Sequence, residues 1–269
     1  MKQLAIMVSL IFWPLSLLLA NLPGDFANYA LPLLFILISF LLYRKGWKYF
    51  AVPLLPIPLF EPKIALFPII FLLCDIAFTK KDKSMWMLLL ISIIIFFISW
   101  KGFWGQTIFI PDYEARQEVI RETQTYPSIF LARLFHNKVR IVLDKFTYNL
   151  FALTDPNNYF FGFHPRQIVE NQNLIKFPFL GILFLSYGLY FISKSDNKKF
   201  ITFSFIAGVL SLSFLTIFDR NDFLLWLPLS LLFVHGIKLF SKLKFSYLIF
   251  DLFIVFTFSE LLRLFIQFY

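Results

Sequence analysis

The chain has little of what builds disulfides, metal centres or a water-soluble surface. One cysteine, Cys74, occurs in 269 residues, which excludes an internal disulfide framework and any multi-cysteine metal site. Its expected state is a buried, inert thiol. Only three histidines are present, and His235 is expected on the cytoplasmic side, so a multi-histidine metal site is not expected either. No cofactor is implied. Charged residues make up only 15% of the chain, against about 25% in soluble domains.

Apolar residues fill the gap. They reach 59%, with 39 phenylalanines, and the mean hydropathy is +0.75. This composition marks an all-α, polytopic integral membrane protein. Spans of roughly 20 apolar residues are read at 4–21, 29–43, 48–60, 63–79, 85–100, 177–193, 200–218, 223–240 and 246–268, nine in all. The first is expected to be retained rather than cleaved as a signal peptide, because more spans follow LAIMVSLIFWPLSLLLANLPGDF at once and its cleavage site is poor. The organisation is then an N-terminal membrane bundle over 1–100 with five spans, one large polar loop over 101–176, and a C-terminal bundle over 177–269 with four.

The net charge of +9 raises nucleic acid as a partner, but the cations are sorted by side. Lys2, Arg44, Lys45, Lys48, Lys80, Lys81, Lys83, Lys194, Lys198, Lys199, Lys238, Lys242 and Lys244 fall on one side of the spans; Lys63 and Arg220 sit on the opposite short connections. The rich side is expected to be cytoplasmic. The amino terminus is then inside, while the carboxyl terminus and the loop 101–176 are outside, as in a protein of the inner membrane. Trp47 and Trp86 fall near inner span ends, and Trp100, Trp104 and Trp226 near outer ends, as interfacial anchors.

The third and fourth spans, 47–79, crowd Pro53, Pro56, Pro58, Pro62 and Pro68 around Glu61-Pro62-Lys63. Each proline removes a backbone donor, so continuous helix is not expected there. Broken backbone at membrane depth requires cover by protein or water. Two readings follow: a cavity wall, or a kinked packing hairpin.

The external loop is nearly balanced in charge, which also argues against nucleic acid. Asp112 suits the cap of a helix in which Glu114, Glu118 and Glu122 recur every four residues and share a face. Asp112, Glu114 and Glu118 are candidate catalytic acids or bases, and the alternative is a solvated face balanced by Arg116 and Arg121. A second helix is expected over 128–151, with Leu131, Phe135, Val139, Val142, Phe146 and Leu150 on an apolar stripe and Arg133, Asn137, Arg140, Asp144 and Tyr148 opposite. Such a helix lies flat at a membrane surface. Asp155-Pro156-Asn157-Asn158 signals a turn, and the aromatic run Tyr159–Phe163 is expected to dip into the interface. His164 and Arg166 follow. Arg133, Arg140, His164 and Arg166 are candidate ligands of a phosphate or lipid headgroup; the alternative is contact with ordinary headgroups or neighbouring loops.

Within the spans, Asp75, Asp251, Glu260 and Arg263 are expensive in lipid and need partners. Glu260 and Arg263, three apart, are expected to form an intramembrane ion pair. Asp251 is expected either to reach the interface near Lys242 and Lys244 or to be protonated, and Asp75 to reach the interface near Lys80 and Lys81.

The run LARLFHNKVRIVLDKFTYNLFALTDPNNYFFGFHPR, followed by FPFLGILFLSYGLYFI, FITFSFIAGVLSLSFLTI and the turn DRND, resembles the second half of bacterial membrane glycosyltransferases of the C superfamily. The likeness covers roughly 125–240. It implies transfer of a sugar from a polyprenyl-phosphate donor outside the cytoplasm. The acidic pair usual in that family's first external loop is absent, since NLPGDFANY has Asp25 alone, so no catalytic residue carries over. The expected partners are membrane lipids and a polyprenyl-phosphate sugar. The alternative reading is a noncatalytic scaffold subunit bound to other membrane subunits, or a transporter component.

Overall fold

The computed structural model describes residues 1–19, 23–78, 83–110, 138–161, 175–218 and 221–268, with a few isolated positions between 117 and 130. These residues form helices, with no strand among them beyond an isolated antiparallel bridge between Thr107 and Leu215. Helices α1 (Lys2–Leu19) and α2 (Pro23–Arg44) are followed by short α3 (Ile57–Phe60), then α4 (Leu66–Phe78) and α5 (Lys83–Trp104). The loop contributes α6 (Lys138–Thr154) and short α7 (Pro156–Phe160). Four more helices close the chain: α8 (Gly181–Tyr190), α9 (Lys198–Ser213), α10 (Trp226–Phe240) and α11 (Ser246–Phe268).

Among the described residues, three segments are long and apolar enough to cross a membrane: Lys2–Leu19, Lys83–Trp104 and Asp222–Phe240. Ala30–Arg44 and Gly181–Tyr190 are shorter apolar helices. The ten residues of α8 rise only about 15 Å, well short of the sixth span read over 177–193. The last helix, α11, has the length but also carries Asp251, Glu260 and Arg263.

The end of α2 shows how local sequence sets direction. Gly46, at φ 70°, takes the left-handed conformation, Gly46 N–H donates to Tyr43 O at 2.9 Å and Trp47 N–H to Leu42 O at 3.0 Å. Both bonds belong to a glycine-terminated helix stop that satisfies otherwise orphaned carbonyls.

Beyond it, the prolines act as the sequence predicts. Residues 52–64 are two 3₁₀ turns, Val52–Leu54 and Pro62–Ile64, flanking the four-residue α3. One side of this irregular backbone is packed on the protein, with Ala51, Leu54, Ile57, Ile64 and Ala65 buried, while Val52, Leu59 and Phe60 are exposed. Protein cover of that kind is what broken backbone in a membrane requires. At its start Tyr43 stacks edge-on against Phe50, centroids 5.2 Å apart. At its finish a Cβ built on Gly102 would lie 2.9 Å from Pro62 Cβ, so Pro62 packs on the last turn of α5. The segment therefore runs from the Arg44 end of the bundle to the Trp104 end.

The densest packing joins α8 with α10, α4 with α9, and α6 with α9; α1 lies against α10 and α11. Phe71, Phe184, Phe200, Phe233 and Phe253 are fully buried at these seams. Where α8 meets α10 the backbones touch. A Cβ on Gly236 would fall 1.9 Å from Phe184 O, and one on Gly188 would fall 2.3 Å from Leu232 O. Small residues that permit such approach are a common route to tight helix pairing in lipid.

Helix α1 contains Pro14, which deprives the Leu10 carbonyl of its usual donor four residues on. The indole of Trp226 on α10 takes that place, donating to Leu10 O at 3.0 Å. The interfacial anchor read in the sequence is thus an internal partner. Trp226→Phe is expected to cost about 1 kcal/mol by leaving a part-buried carbonyl without its donor. Adding Pro14→Ala, which restores the missing N–H, should recover most of the loss, as thermal unfolding of the two variants in detergent will show.

Candidate functional site

Of the residues singled out in the sequence, Asp112, Glu114, Glu118, Arg133, His164 and Arg166 lie outside the described residues. Arg140 is described. It sits on α6 beside Asp144, with Nε 3.4 Å from the carboxylate and both side chains mostly exposed, 51% and 70%. An exposed pair four apart on a helix contributes only about 0.3–0.5 kcal/mol.

The seating of α6 differs from the stripe predicted for it. Asn149 is 3% exposed and its Nδ2 donates to Ser213 O at 3.2 Å and Leu215 O at 2.7 Å. These carbonyls belong to the frayed end of α9, where helical donors run out. Phe146 packs on Phe214, centroids 4.9 Å apart, and Ala152 and Leu153 are buried. The bundle-facing stripe therefore runs through Phe146, Asn149, Ala152 and Leu153. Val139 and Leu143, at 64% and 57% exposure, and Phe151, at 68%, point away from it. The outward surface of α6 is mixed: Val139, Leu143 and Phe151 are exposed alongside Arg140, Asp144, Thr147 and Thr154.

Beneath α6 and α7 lies a charged cluster that sequence reasoning missed. Asp155 caps α7, its Oδ1 accepting from Asn157 N–H at 2.9 Å, and Pro156 fits the first turn, where no donor is needed. The predicted turn is thus a helix start, which aims Asn158 and Tyr159 inward; they are 1% and 3% exposed. Tyr159 O–H donates to Leu153 O at 2.5 Å. Its burial, and then the Asp222 carboxylate, hold the phenol well above its ordinary pKa. Tyr159 O accepts from Lys176 N–H at 3.0 Å and Phe177 N–H at 2.9 Å, which fastens the returning chain to α7.

Lys176 is thereby carried into the core, 4% exposed. Its ammonium donates to Asn158 Oδ1 at 2.5 Å and pairs with Asp222 Oδ2. Asn158 Nδ2 approaches the same carboxylate oxygen at 3.5 Å. The ammonium also stands 5.5 Å from the ring centroid of Trp13 and 5.3 Å from that of Tyr159, within cation–π range. Trp13 in turn meets Phe177 and Phe223 edge-on. The loop, α1 and the start of α10 are bound at one point. No spacing announces it: Asn158, Lys176 and Asp222 lie 18 and 46 residues apart.

Glu260 finds a partner other than the one expected. Both carboxylate oxygens accept from Phe179 N–H, at 3.1 and 3.2 Å, just ahead of α8, where exposed amides and the helix dipole favour an anion. Arg263 adds a favourable charge nearby. Asp251 is exposed in the second turn of α11. Asp75 is 5% exposed; among the described residues Lys199 lies close enough for its charge to act on it, while Lys80 and Lys81 lie outside the described residues. His235 Nε2 lies 3.1 Å from Phe191 O at the end of α8. Among the described residues no three His, Cys, Asp or Glu side chains come together as a metal group.

No family model, no curated protein and no solved structure matches the chain.

Proposed function

We propose that this membrane protein engages lipid, or a lipid-linked saccharide, through the phosphate, on the face that carries the 101–176 segment. The observation that supports it is the seating of α6: Asn149 and Phe146 hold the helix on the bundle while Val139, Leu143 and Phe151 project outward beside Arg140. A mixed surface on which exposed apolar side chains stand beside a guanidinium suits an acyl or polyprenyl chain and the phosphate that follows it. In this reading the chain crosses an inner membrane nine times, amino terminus in the cytoplasm and loop outside, and is a reduced relative of polyprenyl-phosphate-dependent glycosyltransferases. Arg133, His164 and Arg166 would complete the phosphate contacts, and Asp112, Glu114 or Glu118 would supply a base if the protein is a transferase.

Purified protein should bind a polyprenyl-phosphate sugar, and Arg140→Ala combined with Arg166→Ala should weaken binding by about tenfold or more, as two charge-assisted contacts imply. Unchanged affinity in the double variant would remove the arginines from the reading. A noncatalytic subunit is the second reading, drawn from the closure of the Lys176–Asp222–Asn158 cluster on its own members. It predicts no binding of the sugar carrier, together with a stable heteromer on gentle detergent extraction.

A further inference from the structure

The end of the bundle remote from the Trp104 end of α5 gathers cations from stretches far apart in sequence. Tyr43, at the end of α2, packs on Phe200 at the start of α9, centroids 5.5 Å apart. Phe78, at the end of α4, stacks on Phe203 at 5.8 Å. These contacts bring the Arg44–Lys48 turn alongside the turn joining α8 to α9. Arg44, Lys45, Lys48, Lys194, Lys198 and Lys199 are all exposed there. The nearest described carboxylates are the buried Asp75 and the exposed Asp196.

A second feature sets the depth of this cationic corner. Trp47, Tyr49 and Tyr190 are exposed beside it, at 49%, 39% and 79%, and next to them Phe78 and Leu189 are exposed at 70% and 60%. Apolar side chains, then amphipathic rings, then ammonium and guanidinium groups is the order of a bilayer from hydrocarbon to headgroup.

We infer that this corner is a binding face for anionic phospholipid headgroups. The insertion rule that sorts cations to one side of a membrane asks nothing of the folded protein. Here three separated elements converge around an aromatic margin, and each exposed cation near an anionic surface adds attraction that falls off within a Debye length. The phosphodiester meets the basic side chains while the acyl chains lie against Phe78 and Leu189. This face is distinct from the one on which the sugar carrier is placed, and its test does not depend on that reading.

The purified full chain in neutral detergent is to be titrated with phosphatidylglycerol, with phosphatidylcholine and with inorganic phosphate. Thermal unfolding and native mass spectrometry are the readouts. Phosphatidylglycerol is expected to raise the unfolding temperature and to be retained at least about tenfold better than phosphatidylcholine, with the preference collapsing at high salt. The triple variant Arg44→Gln, Lys45→Gln, Lys198→Gln should lose most of that preference, whereas Lys101→Gln at the other end should keep it. Lys199 is left in place because its charge faces Asp75. If the triple variant does not fold, the wild-type selectivity and its salt dependence decide alone. Equal retention of both lipids, or the same stabilisation by inorganic phosphate, overturns the inference. So does an acidic protein captured at this corner with no lipid selectivity.

Discussion

Lys176→Met alone is expected to destabilise the protein by roughly 3–5 kcal/mol, because removing one partner of a buried pair strands the other charge. Asp222, 3% exposed, would keep only the weak approach of Asn158 Nδ2 at 3.5 Å. Trp13 and Tyr159 would lose the ammonium over their rings. Asp222→Leu alone should be as damaging, since it leaves Lys176 with Asn158 and the two rings. The triple replacement Lys176→Met, Asp222→Leu, Asn158→Leu should return stability to within about 1–2 kcal/mol of the original, as apolar side chains of similar volume often match a buried ion pair. Thermal unfolding in detergent reads all three. Single variants as stable as the parent would mean that the cluster contributes nothing to holding the loop on the bundle.

Gly236→Ala should be comparably severe, although it adds one methyl group. The new carbon would sit 1.9 Å from Phe184 O and 2.9 Å from Gly188 N, and backbone on both sides gives it no flexible neighbour to displace. Helices α8 and α10 must move apart along their whole contact. Overpacking typically costs about 1–3 kcal/mol, and a clash against backbone belongs at or above the top of that range. Gly105→Ala is the control, since its new carbon would meet only Lys101 O at an ordinary 3.8 Å. Loss of a monodisperse peak on size exclusion for Gly236→Ala, but not for Gly105→Ala, is the expected outcome. Equal behaviour would show that the α8–α10 seam tolerates separation.

Features that depend on neighbours along the chain were legible in the sequence. Composition marks the helical membrane class, four of the five crowded prolines lie in the broken backbone of 52–64, and the helix read over 128–151 overlaps α6 from Lys138 to Thr154. Asp155-Pro156 was read as a turn and is in fact a helix cap, which is the same chemistry seen one residue later.

What depends on distant partners was not legible. The bundle-facing side of α6 could not be read from spacing, because Asn149, a polar residue, is held inward by two carbonyls at the end of α9. Glu260 was matched to Arg263 by spacing, yet a backbone amide ahead of another helix takes both of its oxygens. Lys176 looked like one more loop cation until its aromatic and carboxylate surroundings were assembled. The glycosyltransferase likeness rests on short words spread over α6, α7 and the helices that follow, and it stays a proposal.

The bond from Trp226 to Leu10 also bears on the order in which the protein is made. Its two ends are 216 residues apart, so α1 is synthesised and delivered to the bilayer long before its missing donor exists. Until α10 arrives, the Leu10 carbonyl has no helical N–H and no indole, and in hydrocarbon that deficit disfavours deep, settled insertion. A helix made well before its partner is thus locked late, and a ribosome stalled before Trp226 should leave α1 more open to extraction than one stalled after α10 has cleared.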